Sequence, residues 1–224
     1  MTAAEPPSGR LTLVDDSGFG EESNVGVTRI RACGDCLYLG TWNTKRGGRL
    51  YRSTDGKTWQ PLSDFGFGNP NNFTVQFIAP FAGRLYVSTW NWTQGLEVWR
   101  ATLGDAVPFA DWDKVASGGF DDRRQIMTTS LLVADGALYV GTIGTFNLTG
   151  GFFSPTVKVN SATGGVLMTS RDGRSWRRID APGFMVFPQI GIEWLEAFQG
   201  KIYIGSQALD HPSQLWVYEP PRRG

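Results

Sequence analysis

The sequence predicts an all-β chain, a four-bladed β-propeller of four-stranded antiparallel blades, on three observations. A 24-residue stretch recurs four times without a gap, beginning at Gly18-Phe19, Gly66-Phe67, Gly119-Phe120 and Gly183-Phe184. An apolar-Tyr pair stands 19 residues after each Gly, at Leu37-Tyr38, Leu85-Tyr86, Leu138-Tyr139 and Ile202-Tyr203. A large apolar residue stands 7 residues before each Gly, at Leu11, Trp59, Trp112 and Trp176. Repeats of about 50 residues built from short strands and tight turns mark propeller blades, because a single unit cannot bury both faces of its own sheet.

Each blade reads the same way. An inner strand follows Gly-Phe, over residues 25–33, 73–81, 126–134 and 190–198, and ends in a tight turn such as Asp135-Gly136 or Gln199-Gly200 that suits a hairpin. The Tyr-containing second strand comes next, as at 37–40 and 85–88. Third strands follow at 49–53, 96–101, 166–170 and 214–218, and outer strands at 59–62, 112–116 and 176–179. The outer strand of the fourth blade is expected from the other end of the chain. Residues 10–15, with Leu11 in the Trp position, should pair with 214–218 and close the ring, which removes the exposed edges. On this reading residues 1–9 are a flexible N-terminal segment, 10–219 a single propeller and 220–224 a tail, and removal of residues 1–16 abolishes cooperative unfolding.

Composition narrows the function classes. Over 224 residues, 21 basic and 21 acidic side chains give zero net charge, which predicts no nucleic-acid partner and no anionic membrane surface. No apolar run reaches a membrane span, and Met1 to Arg10 carry no secretory signal, so a cytoplasmic location is the default expectation. The two cysteines form Cys33-Gly-Asp-Cys36 across a two-residue turn, either as a buried thiol and a turn residue or as a strained turn disulfide. With one His and no further Cys, the chain has no metal-ligand spacing. It also lacks a phosphate loop and a Ser-His-Asp order, so neither metal nor cofactor is expected.

Two hairpins carry a resemblance. Ser53-Thr-Asp-Gly-Lys-Thr-Trp59 and Ser170-Arg-Asp-Gly-Arg-Ser-Trp176 resemble the Asp-box of bacterial-neuraminidase-repeat propellers, each one residue short between Asp and Gly. The resemblance covers these two hairpins and implies a structural role, an Asp that ties its own turn. It does not extend to the catalytic groups of sialidases. Their arginine triad is unmatched, and the nearest segment, Thr28-Arg29-Ile30-Arg31, lacks the expected Pro and leading aromatic residue.

Period-two alternation assigns one face of the inner strands to the central channel. Asn24, Asn72, Gln125 and Gln189 share one repeat position and would form a polar ring at its mouth, unless they cap their own turns. A deeper set is Thr28, Gln76, Thr129 and Glu193. Loops above the channel add Trp42-Asn43, Asn91-Trp92 and Phe146, a mixture of aromatic rings and amides that suits sugar recognition. Trp42 and Trp90 are expected to pack between blades and Trp92 and Phe146 to be exposed, while the long segment from Thr145 to Thr163 is expected to form a lid or contact surface. The leading expectation is therefore a module binding a small polar ligand or carbohydrate through Asn24, Asn43, Asn72, Asn91, Trp92, Gln125, Phe146 and Gln189. One alternative is a hydrolase or lyase/cyclase with an acid/base site among Glu193, Asp210 and His211. Another is a protein-interaction scaffold presenting Phe152, Phe153, Phe184, Met185 and Phe187.

Overall fold

The computed structural model of the chain describes residues 9–104, 111–149 and 156–221. The described residues form an all-β, propeller-like structure of antiparallel units. The first unit holds β1 (Gly26–Cys33), β2 (Cys36–Trp42), β3 (Leu50–Ser53) and β4 (Gln60–Pro61). The second holds β5 (Thr74–Phe81), β6 (Arg84–Trp90), β7 (Val98–Thr102) and β8 (Asp113–Ala116). The third begins with β9 (Gln125–Ala134) and β10 (Ala137–Gly144), and a separate pair, β11 (Phe146–Thr149) and β12 (Lys158–Ala162), is inserted before β13 (Leu167–Ser170) and β14 (Arg177–Ile179). The fourth has β15 (Gly191–Phe198), β16 (Lys201–Gln207) and β17 (Leu215–Tyr218). No helix among the described residues is long and apolar enough to cross a membrane.

Successive units are joined where the end of one second strand meets the start of the next inner strand, at Trp42–Thr74, Trp90–Met127 and Ile143–Gly191. Apolar side chains then fill the space between units. Leu50 and Leu62 of the first unit pack with Val75 and Ile78 of the second, and Leu167 of the third with Ile192 and Leu195 of the fourth. This is how a repeat with two apolar faces finds cover.

The Gly-Phe motif is a left-handed turn. Gly18, Gly66 and Gly119 have φ of 67°, 56° and 64°, and the following Phe19, Phe67 and Phe120 have φ of 62°, 55° and 61°. At Gly119 a Cβ would lie 2.2 Å from the Asp122 carbonyl oxygen, so only Gly fits. The cost of a positive φ at each Phe is offset by ring contacts within its own unit. Phe67 stacks 5.0 Å from Trp99 and meets Trp112 edge-on at 4.9 Å, while Phe19 meets Trp59 and Phe120 meets Trp176.

Both Asp-containing hairpins have the expected local chemistry. Asp55 accepts the backbone N–H of Lys57 and Thr58 at 2.8 and 2.7 Å, and Asp172 accepts those of Arg174 and Ser175 at 2.8 and 2.7 Å. These backbone donors hold both carboxyls well below the usual carboxylate range.

Three expectations are corrected. Residues 10–15 form no strand, Leu11 is fully exposed, and β17 pairs only with β16, so the sheet is not closed. The segment from Thr145 to Thr163 is not one loop. Its ends pair as β11 and β12, with Phe146 opposite Ala162, because alternating residues on both arms support a ladder. Of the proposed contact patch, Phe184 and Met185 are core residues packed with Tyr139 and Ile204, and Phe187 is exposed; Phe152 and Phe153 lie outside the described residues. Cys33 and Cys36 stand opposite each other across the β1–β2 turn as free, half-buried thiols.

Candidate functional site

The inner strands of all four units face one central cavity of about 610 Å³, within the size range of small-molecule sites. Each inner strand carries a register shift at the same repeat position, at Thr28, Gln76, Thr129 and Glu193. A bulge re-aims the side chains beside it. Here the alternation slips by one residue, so both the bulged residues Gln76, Thr129 and Glu193 and the following Arg29, Phe77 and Trp194 line the cavity. Thr28 donates to the Val75 carbonyl at 2.5 Å and Thr129 to the Ile192 carbonyl, tying neighbouring units together at the cavity wall.

Aromatic residues dominate the wall. Trp42, Trp90, Trp92 and Phe146 form a continuous arc with successive ring centroids 6.1, 5.4 and 6.1 Å apart. Phe77 and Trp194 complete the lining. Arg29 sits over Phe77, its guanidinium carbon 3.9 Å from the ring centroid, and donates to the Gln76 carbonyl at 3.4 Å. The arc arises because the ends of β2 and β6 point Trp42 and Trp90 inward, and the turn after β6 brings Trp92 beside the start of β11.

Glu193 is the one carboxylate among the described lining residues. Burial alone holds its carboxyl above the usual range. The folded chain therefore binds this proton more tightly than the unfolded chain, and the group's contribution to stability is complete at low pH and lost as pH rises through the raised value. Glu193→Gln is expected to melt above the parent at about pH 7 and level with it near about pH 3. Thermal unfolding at both pH values checks this; a lower melting temperature for the variant at neutral pH would show that the carboxylate is stabilised in place.

Of the residues expected from the sequence, Trp92, Phe146 and Glu193 come together in the cavity. The amides do not line it. Asn43, Asn72, Asn91, Gln125 and Gln189 are buried and Asn24 half-buried, each engaged with backbone and neighbouring side chains. Asn24 and Asn72 donate to the Gly18 and Gly66 carbonyls at 2.8 Å, and Gln125 and Gln189 donate to the Gly164 and Pro212 carbonyls at 3.2 Å. Asn43 and Asn91 cap the turns after β2 and β6 through N–H groups at Lys45, Arg46, Thr93 and Gln94. Their repeat spacing reflects a repeated turn, which unpaired backbone groups require.

Asp210 and His211 are bonded to each other at 2.8 Å, and Asp210 accepts the Val159 N–H at 2.9 Å; neither lines the cavity with Glu193. Asp122 and Arg124 pair at 2.8 Å in the turn before β9. Arg29, Phe77, Ile126 and Trp194 are lining residues that alternation did not assign to the cavity; Ile143 and Gln207 were not expected there, and Trp42 and Trp90, expected between blades, also line it. No group of three or more His, Cys, Asp or Glu able to hold a metal occurs among the described residues.

No family model matches the chain, and no curated protein matches it. Solved structures with a similar course include the xyloglucan PUL GH43B protein of Bacteroides ovatus, at 17% identity and a TM-score of 0.46 over 86% of this chain and 38% of that one. An α-L-arabinofuranosidase of Clostridium thermocellum is similar at 11% identity and 0.44, over 87% of this chain and 68% of that one. A GH43_1 enzyme of Xanthomonas citri is similar at 13% identity and 0.48, over 89% and 72%. This chain spans well under half of the first of these proteins, and at such scores the likenesses transfer neither residues nor activity.

Proposed function

We propose that the protein is a ligand-binding module whose central cavity takes a carbohydrate. The observation that carries this reading is the arc of Trp42, Trp90, Trp92 and Phe146 set against the polar groups of Gln76, Thr129, Glu193 and Gln207 in one cavity. Aromatic faces cover the apolar C–H faces of a sugar ring, and a few placed polar groups pair with its hydroxyls. Neutral overall charge suits an uncharged ligand. The test is calorimetric titration with mono- and oligosaccharides, followed by Trp92→Ala. Removing this half-exposed ring is expected to weaken binding roughly tenfold to a hundredfold, with little change in melting temperature. Unchanged affinity, or no binding across the panel, would sink the reading.

A second reading has one specific observation behind it. Glu193 is half-buried in the cavity with its carboxyl held above the usual range, as a general acid requires. Sugar hydrolysis by the two-carboxylate route needs a second acidic group about 5–10 Å away, and the described lining supplies only one. We place binding first because the aromatic arc in the cavity carries it directly. Release of reducing ends by the unmodified chain, abolished in Glu193→Gln while binding persists, would reverse that order.

A further inference from the structure

The first three units carry the same row of residues across their second, third and outer strands, and the third unit fills it differently. In the first unit Tyr38 stands opposite Arg52, and Arg52 opposite Gln60. In the second, Tyr86 stands opposite Arg100, and Arg100 opposite Asp113. In the third the row reads Tyr139, Thr169 and Arg177. Directly opposed residues share one face of a sheet, so each row presents its side chains together. The middle arginine ties its unit to the next. Arg52, 7% exposed, donates to the Gly104 carbonyl of the second unit at 2.8 Å. Arg100, 4% exposed, donates to the Asp172 carbonyl of the third unit at 3.2 Å and to the Tyr86 hydroxyl at 3.2 Å, and pairs with Asp113 at 3.2 Å. Thr169 is too short for any of this. Beside it lies a cavity of about 280 Å³, lined by Tyr139, Thr169, Arg171 and Arg177 of the third unit and by Tyr218 and Pro220 at the end of the fourth.

The charge of the row is reversed as well. Its outer residue is a carboxylate in the second unit, Asp113, and a guanidinium in the third, Arg177. Among the described residues Arg177 has no ion pair and no hydrogen-bond partner. Arg171 reaches Asp135 only at 3.9 Å. Asp172, the carboxylate in the lining, is taken up by its own turn, where it accepts from Ser170, Arg174 and Ser175. What remains for a guest is two guanidiniums and the hydroxyls of Thr169 and Tyr139. A cationic guest would meet two like charges there, whereas an anion meets donors.

We infer that this cavity is a second binding site, for a phosphate or sulfate group, free or carried as an ester on a larger molecule. The forked N–H groups of a guanidinium match two oxygens of such a group at once, and the neighbouring hydroxyls supply further donors. The bound anion takes the part beside Arg177 that Asp113 takes beside Arg100, the counter-charge of the row's arginine. The site is independent of the ligand reading, because none of its lining residues borders the central cavity.

The test is calorimetric titration of the full chain with inorganic phosphate and inorganic sulfate, against sodium chloride at the same ionic strength. Saturable binding with a Kd of about 1 mM or tighter is expected for at least one oxyanion, and none for chloride. Arg177→Gln is expected to weaken binding at least roughly tenfold. Arg178→Gln removes the same charge from the opposite face of β14, outside the cavity, and is expected to leave the affinity within about twofold of the parent. Both arginines are exposed, so both variants should melt close to the parent and report on binding alone. Phenyl phosphate separates the two sources: tighter binding than inorganic phosphate assigns the site to an ester, and equal binding assigns it to the free ion, each in support of the proposal. Absence of saturable binding, an equal response to chloride, or equal losses in Arg177→Gln and Arg178→Gln would overturn it.

Discussion

Replacing Asn72 by Ala is expected to destabilise the protein by about 3–4 kcal/mol, among the larger effects of any single substitution. Asn72 is fully buried and uses both ends of its amide. Its nitrogen donates to the Gly66 carbonyl and to Glu97 Oε2, each at 2.8 Å. Its oxygen accepts from Asn91 Nδ2 at 2.9 Å and from Thr89 Oγ1 at 3.2 Å. Glu97 is buried too, and also receives Trp99 Nε1 at 2.9 Å and Lys114 Nζ at 2.8 Å. Truncation leaves a buried carboxylate short of one donor and the Asn91 amide short of its acceptor. For a chain of this size the melting temperature should fall by roughly 6–16 °C. Asn24→Ala, at the half-buried equivalent, should cost less. Thermal and urea unfolding of both variants check this; a loss below about 1 kcal/mol for Asn72→Ala would mean that the network relaxes around the gap.

Gly165→Ala is expected to cost about 3 kcal/mol by a different mechanism, overpacking against backbone. A Cβ at Gly165 would lie 2.1 Å from the Thr142 carbonyl oxygen and 2.9 Å from both the Gly191 Cα and the Ile192 nitrogen. None of these atoms belongs to a side chain that could turn away. The position lies where the third unit meets the start of β15, so the displacement would pass to the packing of Ile192, which is fully buried. Urea unfolding should show a lower midpoint with little change in slope. A melting temperature equal to the parent would show that the junction moves freely. Gly34→Ala is the control, since a Cβ there meets nothing within 4 Å, although its φ of 56° still carries a backbone cost.

The strands were legible because a repeat is read four times. Predicted inner strands at 73–81 and 190–198 coincide with β5 and β15 to within one residue. The Asp55 and Asp172 turns were legible because an Asp two or three residues from the N–H groups it binds needs no tertiary context. The amides were harder. Asn72 and Gln125 lie on the channel side by simple alternation, yet face inward to their turns, because the unpaired carbonyls of Gly66 and Gly164 cost more than a polar ring gains. Phe77 and Trp194 were missed for a geometric reason: the bulge before each shifts the alternation by one residue, and nothing in the local sequence at Gln76 or Glu193 announces it.

By itself, then, the sequence determined the strands, their turns and the repeat that relates them, since spacing, turn chemistry and apolar alternation act over a few residues. Only the tertiary structure decided which side chains share the cavity and which boundary between units stands open. Those outcomes depend on contacts such as Trp92 with Trp90 and Phe146, and on β17 pairing with β16 alone, that are set by how whole units pack rather than by any segment alone.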